Sequence, residues 1–567
     1  MTNKQISKVL DDVYTLLELK GENPFKSRAY ANASRAVETW PEPVAQLVIE
    51  GRLGQIPGMG TSLVERVTEL VTTGRMNYHE ELTASVPEGL REMLKLPGLG
   101  AKKVRAIHEQ LGLVSVGELE YACRENRLVA LDGFGPKTQE KILEGIDLRA
   151  RSQGYYLLDR ALAQAEVLTQ LLALNPDVWR VAVAGALRRR VEVIQDIHIV
   201  VSHPAIDELI PLLKRIGEVT LLDDGSLTVT GSSGIPAFIH GVPDECFAMT
   251  LYHWTGSEAH RSRMASHADD NGFTVTDRHV IRSRTVFPCA DEAAVYELLG
   301  LQYIPPELRE GADEVDLASK KALPELVKRD HLLGIIHVHS TYSDGAHTIK
   351  EMADAARLLG YQYIAICDHS RSAVYAHGLS IERVLQQHEE IDALNAQYAG
   401  FRILKGIESD ILPDGRLDYP DEILASFDLI VASVHSSFNL PEPEMTERLV
   451  RAISNPYTTI IGHPTGRLLL ARDGYRVHVE RLIDEAAVRR VAIEVNANPH
   501  RLDLDWRHLA QARQKGVQIS IGPDAHQIAE LDYVKFGLSM ARKGGLEAAS
   551  VFNALSADEI LERKNRL

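Results

Sequence analysis

Ile336-His337-Val338-His339-Ser340, with Asp344 four residues on, opens a series of metal-ligand residue types that runs through the C-terminal part of the chain. Asp368-His369, Glu408, His435, His463 and Asp524-Ala525-His526 follow in order. Almost every one comes just after a short apolar run: LLGII before His337, YIAIC before Asp368, LIVASV before His435, TTIIG before His463 and VQISIG before Asp524. Apolar runs of that length between helical stretches predict buried parallel strands. Side chains at successive strand ends converge on one rim of a β/α barrel, where such folds place their chemistry. Six histidines, two aspartates and a glutamate delivered to one rim suit a cluster of Zn or Mn ions that activates water. A single His-x-His is equally well explained by two exposed residues on one strand face; nine such residues in order are not.

These residues resemble the ligand set of the PHP (polymerase and histidinol phosphatase) family of metal-dependent phosphoesterases. The resemblance covers residues 334–567 and implies a distorted seven-stranded β/α barrel with a trinuclear site. It assigns up to three Mn or Zn ions to His337, His339, Asp344, His369, Glu408, His435, His463, Asp524 and His526.

A chain of 567 residues is too long for one core and predicts about three to five domains. Hydrophobic content of 45% and charged content of 25% are ordinary for globular proteins. No apolar run approaches about 18 residues and no charged-then-apolar leader follows Met1, so a cytoplasmic protein without a membrane partner is expected. Cys123, Cys246, Cys289 and Cys367 are scattered, which excludes a zinc ribbon, and Cys367 reads as core. The net charge of −17 speaks against a nucleic-acid binder. Residues 1–150, however, hold 19 basic and 21 acidic side chains, so the excess acid lies further on and includes the ligand carboxylates.

In the first 150 residues Ile56-Pro57-Gly58-Met59-Gly60 recurs as Leu96-Pro97-Gly98-Leu99-Gly100 and as Leu131-Asp132-Gly133-Phe134-Gly135. Each copy lies between apolar helical stretches. Gly-x-Gly lets the backbone turn tightly and leaves amides at the next helix's N-terminus for a phosphate. Lys102, Lys103 and Lys137 follow their turns and could pair with a phosphodiester backbone. The glycines could equally be helix stops, but three copies in register resemble helix-hairpin-helix motifs, which grip DNA without reading its sequence. The segment Leu16 to Tyr30 resembles the small N-terminal domain of family X DNA polymerases. Its Schiff-base lysine position is Arg66 here, and a guanidinium cannot be the amine nucleophile, so lyase chemistry by that route is not expected.

The middle of the chain resembles the nucleotidyltransferase palm of the same family. Gly185, Arg188 and Arg189 lead to Asp196-Ile197-His198, where the family pattern has Gly-Ser, a basic pair and Asp-x-Asp on a strand. Two-metal phosphoryl transfer needs carboxylates that alternate on one strand face. Only Asp196 is present: His198 replaces the second aspartate, Phe238 stands at the third position, and Ala186 replaces the serine. The sugar-recognition segment remains as Thr255-Gly256-Ser257 after Trp254, and Tyr303 to Glu310 also matches.

The whole chain therefore resembles a bacterial family X DNA polymerase fused to a PHP domain, a multidomain α and α/β protein. The expected order is a small helical domain (1–80), helix-hairpin-helix fingers (81–150), palm (151–250), thumb (251–315), linker (316–333) and PHP domain (334–567). The linker, with Lys320-Lys321, reads as an unstructured hinge or as a solvated helix face. A monomer that binds gapped, nicked or primer-template DNA is expected. Its function is read as DNA repair, with 3'-5' exonuclease or phosphoesterase activity in the PHP domain and a degenerate palm. The alternative is gap-filling polymerisation retained in the palm, with dNTP as substrate and Mn, or Mg, at Asp196 and His198; imidazole favours Mn.

Overall fold

The computed structural model describes residues 1–96, 98–129, 131–150 and 154–564; Pro97, in the second hairpin motif, lies outside the described residues. The chain divides into two compact units, Met1–Arg149 and Ala150–Leu567.

The first unit is helical. Each Gly-x-Gly turn has its first glycine in the left-handed region, at φ +85° for Gly58 and +81° for both Gly98 and Gly133. A Cβ there would meet no neighbouring atom, so backbone conformation rather than space demands glycine. The helices that follow are Thr61–Thr73, Ala101–Leu111 and Pro136–Ala150. Leu63, Val67 and Leu70 on the first, Val104 and Ile107 on the second, and Ile142 and Ile146 on the third recur at helical spacing and meet in one core.

The second unit begins with a five-stranded mixed sheet made of β1 (Arg180–Ala184), β2 (Ile197–Ser202), β3 (Gly217–Leu221), β4 (Leu227–Gly231) and β5 (Pro236–Val242), in the order β1-β2-β5-β4-β3. The central strands β2 and β5 are parallel, with His198 beside Phe238 in register. Helix Leu158–Ala173 covers one face through Leu158, Ala161, Ala165, Leu168 and Leu172. Two further helices, Phe247–Thr255 and Glu258–Asp270, and a small antiparallel sheet follow.

Seven parallel strands make the C-terminal barrel: β6 (Gly334–Val338), β7 (Tyr363–Ile366), β8 (Arg402–Asp410), β9 (Leu429–Ser433), β10 (Ile460–Ile461), β11 (Ala492–Asn496) and β12 (Ile519–Gly522). They pair in sequence order, and a bridge between Val338 and Ala525 nearly closes the ring. Ile336, Tyr363, Ala365, Leu404, Leu429, Val431, Ile460 and Ala492 fill one side of the sheet, together with Cys367. Their alternates, Ile335, Ile364, Ile403, Ile493 and Ile519, pack outward. Strands buried on both faces explain why the sequence shows continuous apolar runs rather than alternation.

The stretch between sheet and barrel is not the unstructured hinge that was one of the two expectations. Glu314–Ser319 is a helix with Val315 and Ala318 buried, Val327 donates to the Leu546 carbonyl at 2.8 Å, and Leu326 and Val327 are buried. One apolar cluster runs through Val327 from the sheet into the barrel. Among the described residues, no helix is long and apolar enough to cross a membrane.

Candidate metal centre

The nine residues come together at the C-terminal ends of the barrel strands. His337 lies in β6 and His339 just after it; His369, His435, His463, Asp524 and His526 follow the ends of their strands, and Glu408 lies inside β8. Asp344 comes from the loop after β6, which Asp368 fixes by accepting from Ser340 N (2.7 Å), Ser340 Oγ (2.6 Å), Ser343 N (3.2 Å) and Gln387 Nε2 (2.6 Å). Eight of the nine form three overlapping groups, each with its donor atoms within 4.8 Å of one another. These are His339, Asp344, His369 and His526; His337, His339 and Asp524; and His369, Glu408 and His435. His463 stands beside them, its Nε2 2.9 Å from Glu408 Oε1.

The donor atoms fit resident ions. His337 Nε2, His339 Nδ1, Asp344 Oδ1, His369 Nδ1, Glu408 Oε2 and His463 Nδ1 are buried and make no hydrogen bond. Buried polar atoms normally find partners, and five of these six orphans belong to residues of the three groups, which marks a place where a cation would supply the missing contacts. His369 Nδ1 and Glu408 Oε2 are 2.9 Å apart, yet out of hydrogen-bonding geometry.

Burial, with His526 and His369 close by, pushes the His339 imidazole down to about 3. Burial and Arg501 push His463 down to about 4. Both rings are therefore neutral with lone pairs available, as metal ligands must be. Burial opposes the charged form of His435 as well, but Glu408 and Asp410 raise it to about 10. His337 is raised in the same way, against its burial, by Glu494, Asp524 and Glu408.

Three residues that the sequence reading did not assign complete the frame. Glu494, in mid-strand β11, accepts from His337 Nδ1 at 2.6 Å and from the His463 amide at 2.7 Å. Asp410 accepts from His435 Nδ1 at 2.6 Å. Asn496 donates to Asp524 Oδ2 at 3.0 Å. Such contacts fix a histidine's tautomer and aim its other nitrogen at an ion. A carboxylate inside the apolar run VAIEVN, and a second one two residues beyond Glu408, were the available signals. Gly522 leaves room for Glu494: a Cβ there would lie 2.1 Å from its Oε1. His337 (φ +69°), His463 (+22°) and Asp524 (+54°) all have positive φ without being glycine. Conformations of that kind cost about 1–3 kcal/mol each and persist where the surroundings over-determine them.

The palm residues form a different kind of cluster. Asp196 Oδ1 stands 3.2 Å from His198 Nε2, and His198 Nδ1 is 2.9 Å from Nε2 of His240, a residue the sequence reading missed. The His198 ring stacks with Phe238 (5.2 Å) and Trp254 (4.8 Å), and His240 stacks on Trp254 at 4.0 Å. Among the described residues no third carboxylate, histidine or cysteine completes a metal-sized group there. Arg188 donates to Thr255 Oγ1 (2.7 Å) and pairs with Glu292. Arg189 donates to the Thr255 carbonyl (2.9 Å) and to Glu310 (3.0 Å). Gly185 has φ +67° and abuts His198, Gly256 abuts His260, and Ser257 caps the following helix.

At the hairpins, Gly60 and Gly100 are N-caps without a side-chain cap, so amides at those helix starts remain free of side-chain acceptors. Lys102 and Lys137 are exposed, as are Gly133 and Gly135. Lys103 instead donates to the Gly98 carbonyl at 3.2 Å and lies 5.4 Å over the Phe134 ring, bracing two hairpins against each other. Arg66, at the expected lysine position, donates to the Tyr30 hydroxyl and lies 3.6 Å over the Tyr78 ring.

Comparison with known proteins adds the following. Residues 1–76 match the family model of a helix-hairpin-helix domain, and 90–147 match a SAM-like helix-hairpin-helix tandem. Residues 250–310 match the DNA polymerase beta thumb, and 336–498 the PHP domain. The chain is 39% identical over 569 residues to the DNA polymerase/3'-5' exonuclease PolX of Bacillus subtilis (strain 168), with 99% of each covered. It is also 30% identical over 206 residues to a probable phosphatase of Caldanaerobacter subterraneus, covering 34% of this chain and 74% of the relative. A probable phosphatase of Acetivibrio thermocellus is 29% identical over 202 residues, with 34% of this chain and 78% of the relative covered.

Proposed function

The chain belongs to the bacterial family X DNA polymerases that carry a PHP domain, and on that premise we propose that it is a DNA-repair hydrolase, a 3'-5' exonuclease whose active site is the barrel rim. The observation that carries this reading is the set of buried, unpartnered nitrogen and oxygen atoms converging there. His337, His339, Asp344, His369, Glu408, His435, His463, Asp524 and His526 would hold up to three ions. Mn or Zn bound there would supply a Lewis acid and a hydroxide nucleophile at neutral pH. The protein's own part is placement. Glu494 and Asp410 orient His337 and His435, while Asn496 holds Asp524. Arg501, buried with its Nε 3.6 Å from Asp524 Oδ2, is a cation suited to a phosphodiester oxygen.

The hairpin glycines with Lys102 and Lys137 would hold gapped, nicked or primer-template DNA by its backbone. The palm is read as degenerate. Asp196 is its lone carboxylate of the expected three, His198 lies in an aromatic stack, and Arg188 and Arg189 are paired with Glu292 and Glu310. We place the protein in the cytoplasm as a monomer.

Metal removal tests the reading. Protein dialysed against a chelator should lose shortening of a 3' end, and Mn or Zn should restore it. Undiminished digestion after chelation would contradict a metal-dependent site.

A further inference from the structure

We propose that Glu192, in the palm, is a positioning residue for the hydrolytic site of the barrel. The proposal rests on the barrel rim being that site. Glu192 is buried and accepts two hydrogen bonds from across the sequence, from Trp506 Nε1 at 3.1 Å and Arg507 Nη1 at 2.7 Å. Both donors end the loop that leaves β11, and that loop is tied at its other end to the candidate metal centre. Asn496 donates to Asp524, and Arg501 places its Nε 3.6 Å from the same carboxylate.

Between these ends the loop is bonded throughout. Arg467 joins the Arg501 carbonyl (3.0 Å) to Asp505 (2.5 Å), and Asp503 accepts from Thr465 N (3.0 Å) and Oγ1 (2.9 Å), two residues after His463. Leu504 N donates to the Glu494 carbonyl at 2.9 Å. On the palm side, Glu192 lies between Arg189 and Asp196. Lys543, fully buried, reinforces the attachment: its ammonium donates to the Arg189 carbonyl at 3.0 Å, pairs with Glu310, and lies 4.4 Å over the Trp506 ring. The palm segment that carries the nucleotidyltransferase signature thus anchors the far end of the loop that holds Arg501 beside Asp524. A palm that has lost most of its own carboxylates retains a task in the reaction next door. A displacement of about 1 Å at such an anchor can cost orders of magnitude in rate.

Full-length Glu192→Ala and Trp506→Phe are compared with wild type on thymidine 5'-p-nitrophenyl phosphate in Mn, a substrate too small to need the hairpins. Both variants should lower kcat roughly tenfold, the range typical of partners one step removed from a site, with KM and bound metal little changed. Glu192→Gln, which still accepts from Trp506, should recover most of the rate. In an Arg501→Ala background, Glu192→Ala should add nothing further, because both act through one group. A wild-type kcat in Glu192→Ala and Trp506→Phe, a loss that merely follows bound metal, or full additivity with Arg501→Ala would each overturn the proposal. If Glu192→Ala does not fold, Trp506→Phe, which loses a single hydrogen bond, decides alone. His339→Ala separates the two ideas: if it hydrolyses at the wild-type rate, the barrel site itself is wrong. If it is inactive while the Glu192 and Trp506 variants are normal, only the positioning role fails.

Discussion

A carboxylate in the middle of an apolar strand, as Glu494 is, must find partners or give up its charge. It accepts from His337 Nδ1, from the His463 amide and from Asn496 Nδ2, and through the first two it holds two candidate ligands from two other strands. Glu494→Gln keeps the shape and loses the charge. Hydrolysis at limiting Mn should fall about 10- to 100-fold, as for other outer partners of metal ligands, and excess Mn should recover part of it. A Mn titration of the rate checks this, and an unchanged titration curve would count against the frame described for His337. The nine candidate ligands were legible in the sequence because metal chemistry admits few residue types and the apolar runs mark where strands end. Glu494, Asp410 and Asn496 were not, since each takes its meaning from a cross-strand neighbour that no local pattern reveals.

The hairpins and the palm strands differ as elements in what the sequence told of them. Gly58, Gly98 and Gly133 need a left-handed backbone, a local demand written in the residue type, and all three adopt it. Replacing Lys102, Lys103 and Lys137 with Ala should weaken duplex binding equally for all sequences. It should also flatten the dependence of log affinity on log salt, by roughly 0.9 for each phosphate no longer neutralised. Lys103→Ala alone should act more through hairpin packing than through the salt slope, given its bond to the Gly98 carbonyl. Binding titrations across salt concentrations check both, and a triple variant that binds normally at every concentration would make these hairpins structural.

In the palm, the departure from the family's residue pattern at His198 and Phe238 was legible, but the aromatic stack around His198 was not, because His240 and Trp254 meet it only through tertiary packing. Burial and His198 push His240 down to about 4, so it is neutral near pH 7. Mg-dependent gap filling should be absent or very weak. Loss of even one preorganised stabilising group costs about a hundredfold or more, and His198 and Phe238 stand at two of the three positions where the family resemblance expects carboxylates. Robust gap filling in Mg that Asp196→Ala abolishes would refute this.

Across the whole second unit, palm and barrel share one apolar core, with Val327 from the connecting stretch inside it. The polar run Lys320-Lys321-Ala322-Leu323-Pro324 read as an unstructured hinge or as a solvated helix face. The buried Val315, Ala318, Leu326 and Val327 that flank it were too widely spaced to read as a packed element. A joint of this kind packs the five-stranded sheet and the barrel into one body. The central claim is that the barrel cuts and the palm does not build. A 5'-end-labelled primer on a template, incubated in Mn with and without dNTPs, tests it most directly with wild type, Asp196→Ala and His339→Ala. Wild type and Asp196→Ala should shorten the primer from its 3' end whether or not dNTPs are present, and His339→Ala should leave it intact. Shortening by His339→Ala at the wild-type rate, or template-directed extension by wild type that Asp196→Ala removes, would contradict the account.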